Sequence, residues 1–202
     1  MATKKKAVKV SHQRERERKP VLSVIEMVMK KAGPPSPRPK AVISPELHRE
    51  VEQLLYRQSE LLDTKQWAGF VDLFTDDGVY WAPSLPEHDH WDGKPAIFIE
   101  DKDLMTVRMK RVMHPNAWSQ QAEWATNHVV SNIAIEGLDK DGCLNVRSRF
   151  HMMELRRDDI RHFGGRYRHS LKRTKDGLRI KLQRVDLFNA QASYEYVLQA
   201  WV

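Results

Sequence analysis

One cysteine, Cys143, stands among 202 residues. A lone thiol excludes an internal disulfide, a four-thiolate zinc site and a self-contained iron–sulfur cluster. It fits a reducing compartment, and a cytoplasmic location is expected. Long apolar runs are missing too. No stretch approaches the ~18 uninterrupted apolar residues of a membrane helix, and the Lys-rich start is followed by neither an apolar segment nor a small-residue cleavage site. No membrane association and no export signal are expected. The body of the chain also lacks a charge bias. Lys and Arg outnumber Asp and Glu by 34 to 27. The excess sits in residues 1–40, with twelve basic groups against three acidic, and leaves 22 basic against 24 acidic in the other 162 residues. Affinity for a polyanion would belong to that arm alone, salt-sensitive and blind to sequence, so no nucleic-acid partner is expected.

What is present divides into an arm, residues 1–43, and a single α+β domain, residues 44–202. The first twenty residues have almost nothing to bury and are expected to be disordered. Val21, Val24, Ile25, Val28 and Met29 then recur at helical spacing and predict a short amphipathic helix over 21–31. Gly33, Pro34, Pro35, Pro37 and Pro39 end it and form a semi-rigid tether. Such a helix suits docking on a neighbouring subunit or folding back on its own domain.

The domain opens at Ser44-Pro45-Glu46, which combines a capping hydroxyl, proline at the first helical position and an acid in the first turn. Leu47, Val51, Leu54, Leu55, Leu61 and Leu62 repeat at steps of three, four and seven and predict a long core-facing helix. Residues 66–74 continue in helical period through Trp67, Phe70, Val71 and Phe74. Asp76-Asp77-Gly78 reads as a turn and 79–81 as a short strand. Residues 82–98 are expected to be a loop, and 103–113 a helix through Leu104, Val107, Met109 and Val112. Four β-rich runs follow at 127–137, 143–156, 162–174 and 178–190. Asp-Gly turns join the first to the second and the third to the fourth, and a longer charged connection at 157–161 joins the middle pair. Helices followed by an antiparallel meander predict a curved, mainly antiparallel sheet wrapped around a long helix. This is the outline of the cystatin-like, or cone-shaped NTF2-like, fold.

Several strings, taken in order, resemble the β (small) subunits of bacterial aromatic-ring-hydroxylating dioxygenases, the Rieske non-haem iron enzymes. They include Tyr56-Arg57, 60–63 (ELLD), Trp67, and the aspartate-rich approach to Tyr80, Trp81 and Pro83. They continue through 127–133 (NHVVSNI), 146–150 (VRSRF), 163–167 (FGGRY), 171–173 (LKR) and 176–180 (DGLRI). The resemblance spans roughly residues 46–192. Leu178 stands where that family often has Trp, His169 where an acid is common, and the tail from Tyr194 to Val202 is unlike the family's.

The resemblance implies a structural subunit of the terminal oxygenase in aromatic-compound catabolism. The enzyme would be the complex, and this chain would hold no catalytic, cofactor or metal site. A large α subunit, expected in an α3β3 assembly with contacts between small subunits, would carry the Rieske [2Fe–2S] cluster and mononuclear Fe(II). Ferredoxin or reductase components would supply its electrons.

The residue inventory bears on this independently. A Rieske centre needs two cysteines and two histidines, which Cys143 alone cannot provide. Mononuclear iron needs two histidines and a carboxylate. His88 and His90 with Asp92 form the one close set, and they fall in an expected exposed loop. The rival is a free-standing SnoaL-like or scytalone-dehydratase-like dehydratase or isomerase, whose cone would hold a buried acid/base pair. Its candidates are Asp77, Tyr80, His128 and His151. Each has a structural role open to it: turn residue for Asp77, aromatic wall for Tyr80, hydrogen-bonded core or interface histidine for His128. Trp91, Trp118 and Trp124 fall in the segments 82–98 and 114–126, as subunit-interface aromatics or as core under long loops. Arg147, Arg149, Arg156, Arg157, Arg166 and Arg168 are expected on the wet side of the sheet, solvated or complementing a partner.

Overall fold

Ser44 caps the first helix, its hydroxyl oxygen accepting from the Leu47 N–H at 3.2 Å. In the computed structural model, which describes residues 43–117, 124–193, 198 and 201–202, this helix, α1, runs Pro45–Asp63. The expected helix at 21–31, its Pro-rich tether and Trp118 lie outside the described residues. Val51, Leu55, Leu61 and Leu62 are buried along one side of α1, as their spacing requires, with Leu47 and Leu54 partly covered. A tight turn at Thr64 and Lys65, the latter at φ 57°, leads into the short helix α2, Trp67–Asp72.

The helical period suggested for 66–74 stops at Asp72. Phe74 already belongs to β1, Phe74–Pro83, which continues through Asp76-Asp77-Gly78 instead of turning there. Those residues form an irregularity inside the strand. Phe74 is paired with Ile180, and pairing resumes at Val79 with Leu182. Gly78 fits the irregularity because a Cβ would lie 2.9 Å from the Ile180 and Thr75 carbonyl oxygens. The supposed loop 82–98 contains the start of β2, Ala96–Asp101, an edge strand antiparallel to β1. Asp101 caps α3, Lys102–Val112, by accepting from the Leu104 N–H at 2.9 Å. Its buried face is centred on Met105, with Met109 and Val112 partly covered, while Leu104 and Val107 face solvent.

Four long strands complete the sheet: β3 Trp124–Leu138, β4 Leu144–Arg156, β5 Asp159–Thr174 and β6 Gly177–Leu187. The order is β2-β1-β6-β5-β4-β3, antiparallel except for the β1–β6 pair. Gly142 (φ 75°) and Gly177 (φ 105°) supply the backbone that the two Asp-Gly turns need. The middle connection is shorter than expected. Arg156 already pairs with Asp159, so only Arg157 and Asp158 turn, with Arg157 at φ 56°. Asn132, at φ 54°, sits where the β3–β4 register shifts, which bends the strand within the Ser-Asn pair. Gly165 lets β5 approach β6, since a Cβ there would collide with the Asp186 carbonyl oxygen and meet the Phe150 ring at 2.8 Å.

Strand alternation gives the sheet two faces. Val146, Phe150, Met152, Phe163, Tyr167, Leu171, Ile180 and Val185 join α1 and α2 in one core. The described elements all lie in the compact unit spanning residues 38–202. The fold is the α+β cone expected, with α1 against the concave face.

Candidate functional site

The concave side is where a small molecule would enter a fold of this kind, and aromatic rings crowd it. Trp201 is 2% exposed. Its indole lies against Phe70 at 5.0 Å, Trp67 at 6.0 Å and Tyr80 at 6.5 Å between centroids. Its Nε1–H donates to Glu100 Oε2 at 2.9 Å, and the other oxygen of that carboxylate receives Arg108 Nε at 2.6 Å. Val202 follows it inward. The Tyr80 hydroxyl donates to the Val202 backbone oxygen and accepts from the Val202 N–H, both at 3.0 Å. Burial pushes the Tyr80 phenol well above its ordinary pKa, outweighing the Val202 hydrogen bond, so it stays protonated at neutral pH.

Deeper along α1, Asp63 faces β3. One of its oxygens accepts from Thr126 Oγ1 at 2.8 Å and lies 2.6 Å from His128 Nδ1. The other accepts the His128 backbone N–H at 2.8 Å. Burial alone would raise the Asp63 carboxyl, but the bonds and charge of His128, with Thr126, outweigh it and hold the group below its usual value. With Nδ1 on the carboxylate, His128 has its Nε2 buried and without a partner among the described residues. Tyr167 Oη, Ser148 Oγ, His169 Nδ1 and the Gln183 amide share that condition. His169 Nε2 donates to Gln58 Oε1 at 3.0 Å, and burial drives the ring's pKa down to about 3, so it is neutral.

The opposite face is built from charge. Arg147 faces Arg168 across β4 and β5, and Arg149 faces Arg166. On β6, Arg184 is buried, with its Nε 2.7 Å from Asp186 Oδ1 and its guanidinium 4.5 Å from the Trp81 ring centroid. It also donates to the carbonyls of His88 (2.5 Å) and Pro86 (2.9 Å), which pins the 84–95 loop to the sheet. Val129, Leu155, Ile160 and Phe188 are exposed on this side.

The candidate residues therefore scatter. Tyr80 and His128 are in the interior. Asp77 is on the surface, paired with Lys181 at 3.3 Å. His151 is on the outer face, stacked on His162 with ring nitrogens 3.1 Å apart. His88 is buried while His90 points to solvent, where it pairs with Asp89, and Asp92 is exposed. Among the described residues no three His, Cys, Asp or Glu side chains are grouped to hold a metal ion. Cys143 is buried and alone, so the donor set of a Rieske cluster does not fit here. Trp124 is core rather than loop, stacked on Trp67 at 5.9 Å. Trp91 is 38% exposed and packs edge-on against Trp81. Asp63 entered the sequence reading only as part of the string 60–63, with no role, and Gln58, Glu100, Arg108 and Trp201 were not singled out. Their partners lie 65, 111, 101, 8 and 101 positions away, and only the Glu100–Arg108 pair is close in sequence. Among the described residues no helix is long and apolar enough to cross a membrane.

A long helix held in a six-stranded, almost wholly antiparallel sheet defines the NTF2-like class, and solved structures share it. The β subunit of benzoate 1,2-dioxygenase from Burkholderia mallei matches at TM-score 0.61 and 23% identity, covering 78% of this chain and 99% of that one. ActVI-ORFA from Streptomyces coelicolor matches at 0.52 and 20%, covering 70% and 97%. Sequence narrows the class. The family described as ring hydroxylating beta subunit matches residues 57–193, and the chain belongs to it. It is 29% identical over 152 residues to the anthranilate 1,2-dioxygenase small subunit of Acinetobacter baylyi, covering 73% of this chain and 93% of that protein. With the small oxygenase component of the p-cumate 2,3-dioxygenase system of Pseudomonas putida it shares 32% over 133 residues, covering 65% and 73%.

Proposed function

We propose that this chain is the assembly subunit of the terminal oxygenase of an aromatic-ring-hydroxylating dioxygenase. It catalyses nothing itself and supports a large subunit that holds the Rieske cluster and mononuclear iron. The observation that carries the reading is the packing of Trp201 and Val202 into the cone. The chain's own Trp201 and Val202 occupy part of the interior that an enzyme of this fold would use for substrate, packed on Trp67, Phe70 and Tyr80. Family membership over residues 57–193 supplies the partner by analogy. An α3β3 assembly, ferredoxin or reductase as electron donor, and a cytoplasmic location belong to the same proposal, as does the role of residues 1–43 as an arm separate from the 44–202 domain. The test is co-expression with a large subunit, followed by native mass measurement and ring-hydroxylation assays of each chain alone and together. Oxygenase activity is expected only from the mixed complex, and turnover or full activity without this chain would refute the reading.

One observation favours a second reading, a free-standing dehydratase or isomerase. Asp63 orients His128 as a carboxylate orients a catalytic base, and the His128 Nε2 has no partner among the described residues. Dehydration or isomerisation of a small cyclic ketone or alcohol by the isolated chain, abolished in His128→Gln, would establish it.

A further inference from the structure

Like charges placed directly opposite on neighbouring strands destabilise a sheet, because their Cβ atoms are only about 4.5–5.5 Å apart. This protein carries two such pairs side by side on one face, Arg147 with Arg168 and Arg149 with Arg166. The outer pair members find carboxylates within the chain. Arg147 Nε lies 3.0 Å from Glu136, and Arg168 Nε lies 3.4 Å from an Asp186 already engaged by Arg184. The middle two make no ion pair among the described residues, although Asp186 stands opposite Arg166 on β6. Arg149 and Arg166 instead hold their guanidinium groups 5.7 and 5.9 Å from the Phe188 ring centroid. Arg166 Nε is buried with no hydrogen-bond partner among the described residues. Burial, then Arg149 and Arg168, hold the Arg166 pKa below its ordinary value, with Asp186 opposing. Phe188 itself is 61% exposed.

A folded domain does not assemble repelling cations around an exposed phenyl ring for its own stability. The arrangement has the chemistry of half an interface, in which planar guanidinium forks are matched to carboxylates around an aromatic anchor. Resting on the subunit reading above, we propose that the outer face of β4 and β5, centred on Arg149, Arg166 and Phe188, docks an acidic segment of the large oxygenase subunit. The carboxylates of that segment complete the two unpaired arginines, and an apolar side chain beside them covers Phe188. Protein carboxylate is favoured over nucleic-acid phosphate because the patch is short, contains a phenyl ring and sits on a domain whose remaining charge is slightly negative.

Two single substitutions test this in the full chain co-expressed with its large subunit. Arg149→Glu places a carboxylate opposite Arg166, and Arg166→Gln, kept neutral because Asp186 stands opposite on β6, removes one cation from the cluster; both relieve repulsion within the sheet while weakening attraction to an acidic partner. The isolated variants are expected to unfold at or above the wild-type temperature. Their affinity for the large subunit is expected to fall roughly 100-fold, as for a desolvated charge pair lost at an interface. A structural role would move stability and assembly together, and two independent variants keep the test alive if one misfolds. Assembly of both folded variants at wild-type affinity would overturn the docking face while leaving the subunit reading intact. So would loss of duplex-DNA binding in both variants with assembly unchanged. Failure of the wild-type chain to bind any large subunit would overturn both, and it would show before any substitution is made.

Discussion

The surroundings of His169 explain how an imidazole is kept inside the sheet. The ring is fully enclosed, donates through Nε2 to Gln58 and stays neutral because burial disfavours the cation. Its pKa, about 3 in the fold, rises to the ordinary 6.5 on unfolding. Between those values the unfolded chain binds a proton that the native state refuses. The contribution of His169 is therefore fully present above pH 6.5 and is lost as pH falls toward 3. Asp63 adds a second loss at lower pH, since its carboxyl is held below the ordinary 3.8 and its stabilisation disappears as that group protonates. His169→Gln, which keeps a donor for Gln58 but cannot titrate, is expected to flatten the stability curve between pH 6.5 and 4 by up to ~1.4 kcal/mol per pH unit. Urea unfolding of wild type and variant across that range would measure the slopes, and parallel curves would refute the assignment. Alternation along β5 puts His169 on the buried side, so its burial was legible in the sequence. Its partner was not, because Gln58 on α1 is 111 residues away.

Among the elements, those governed by adjacent residues were read correctly and those governed by distant ones were not. Ser44-Pro45-Glu46 fixes the start of α1 locally, and the Asp-Gly turns close the β3–β4 and β5–β6 hairpins locally. Asp76-Asp77-Gly78 carries an equally strong local turn signal. It becomes an irregularity within β1 because β1 must pair in parallel with β6, about a hundred residues later. β2 was overlooked because Pro83, Pro86, Gly93 and Pro95 break its surroundings, and its strand character depends on pairing with β1. The Gly164-Gly165 pair shows a motif whose reason appears only in three dimensions. Gly165→Ala forces a methyl group onto the Asp186 carbonyl and the Phe150 ring, so β5 and β6 must separate locally. Loss of roughly 1–3 kcal/mol is expected, by the cost of overpacking. Gly164→Ala, where the new methyl would lie 3.8 Å from the Phe150 carbonyl oxygen, is expected to change stability little. Chemical denaturation of the two variants side by side separates close approach at Gly165 from a general cost of substituting glycine in a strand.

For the molecule as a whole, the aromatic packing inside the cone depends on Trp201 and Val202, residues whose place the local sequence could not indicate. They tie the last residues of the chain to β1 through Tyr80, to β2 through Glu100 and to α2 through Trp67 and Phe70. If this closure is structural, removing the indole should cost what a large aromatic costs in any core. Trp201→Ala is expected to lose about 3–5 kcal/mol. Trp201→Phe retains most of the ring packing but leaves Glu100 with Arg108 alone, and should cost less, about 1–3 kcal/mol for the lost hydrogen bond. Guanidinium unfolding of both variants gives the two differences, and their order is the discriminating quantity. An interior kept open for a ligand predicts the reverse pattern: Trp201→Ala would be tolerated, and the enlarged cone would admit small aromatic molecules that restore any loss. A large, unrescued loss in Trp201→Ala with a smaller one in Trp201→Phe identifies Trp201 as core and argues against a cone kept open for a ligand.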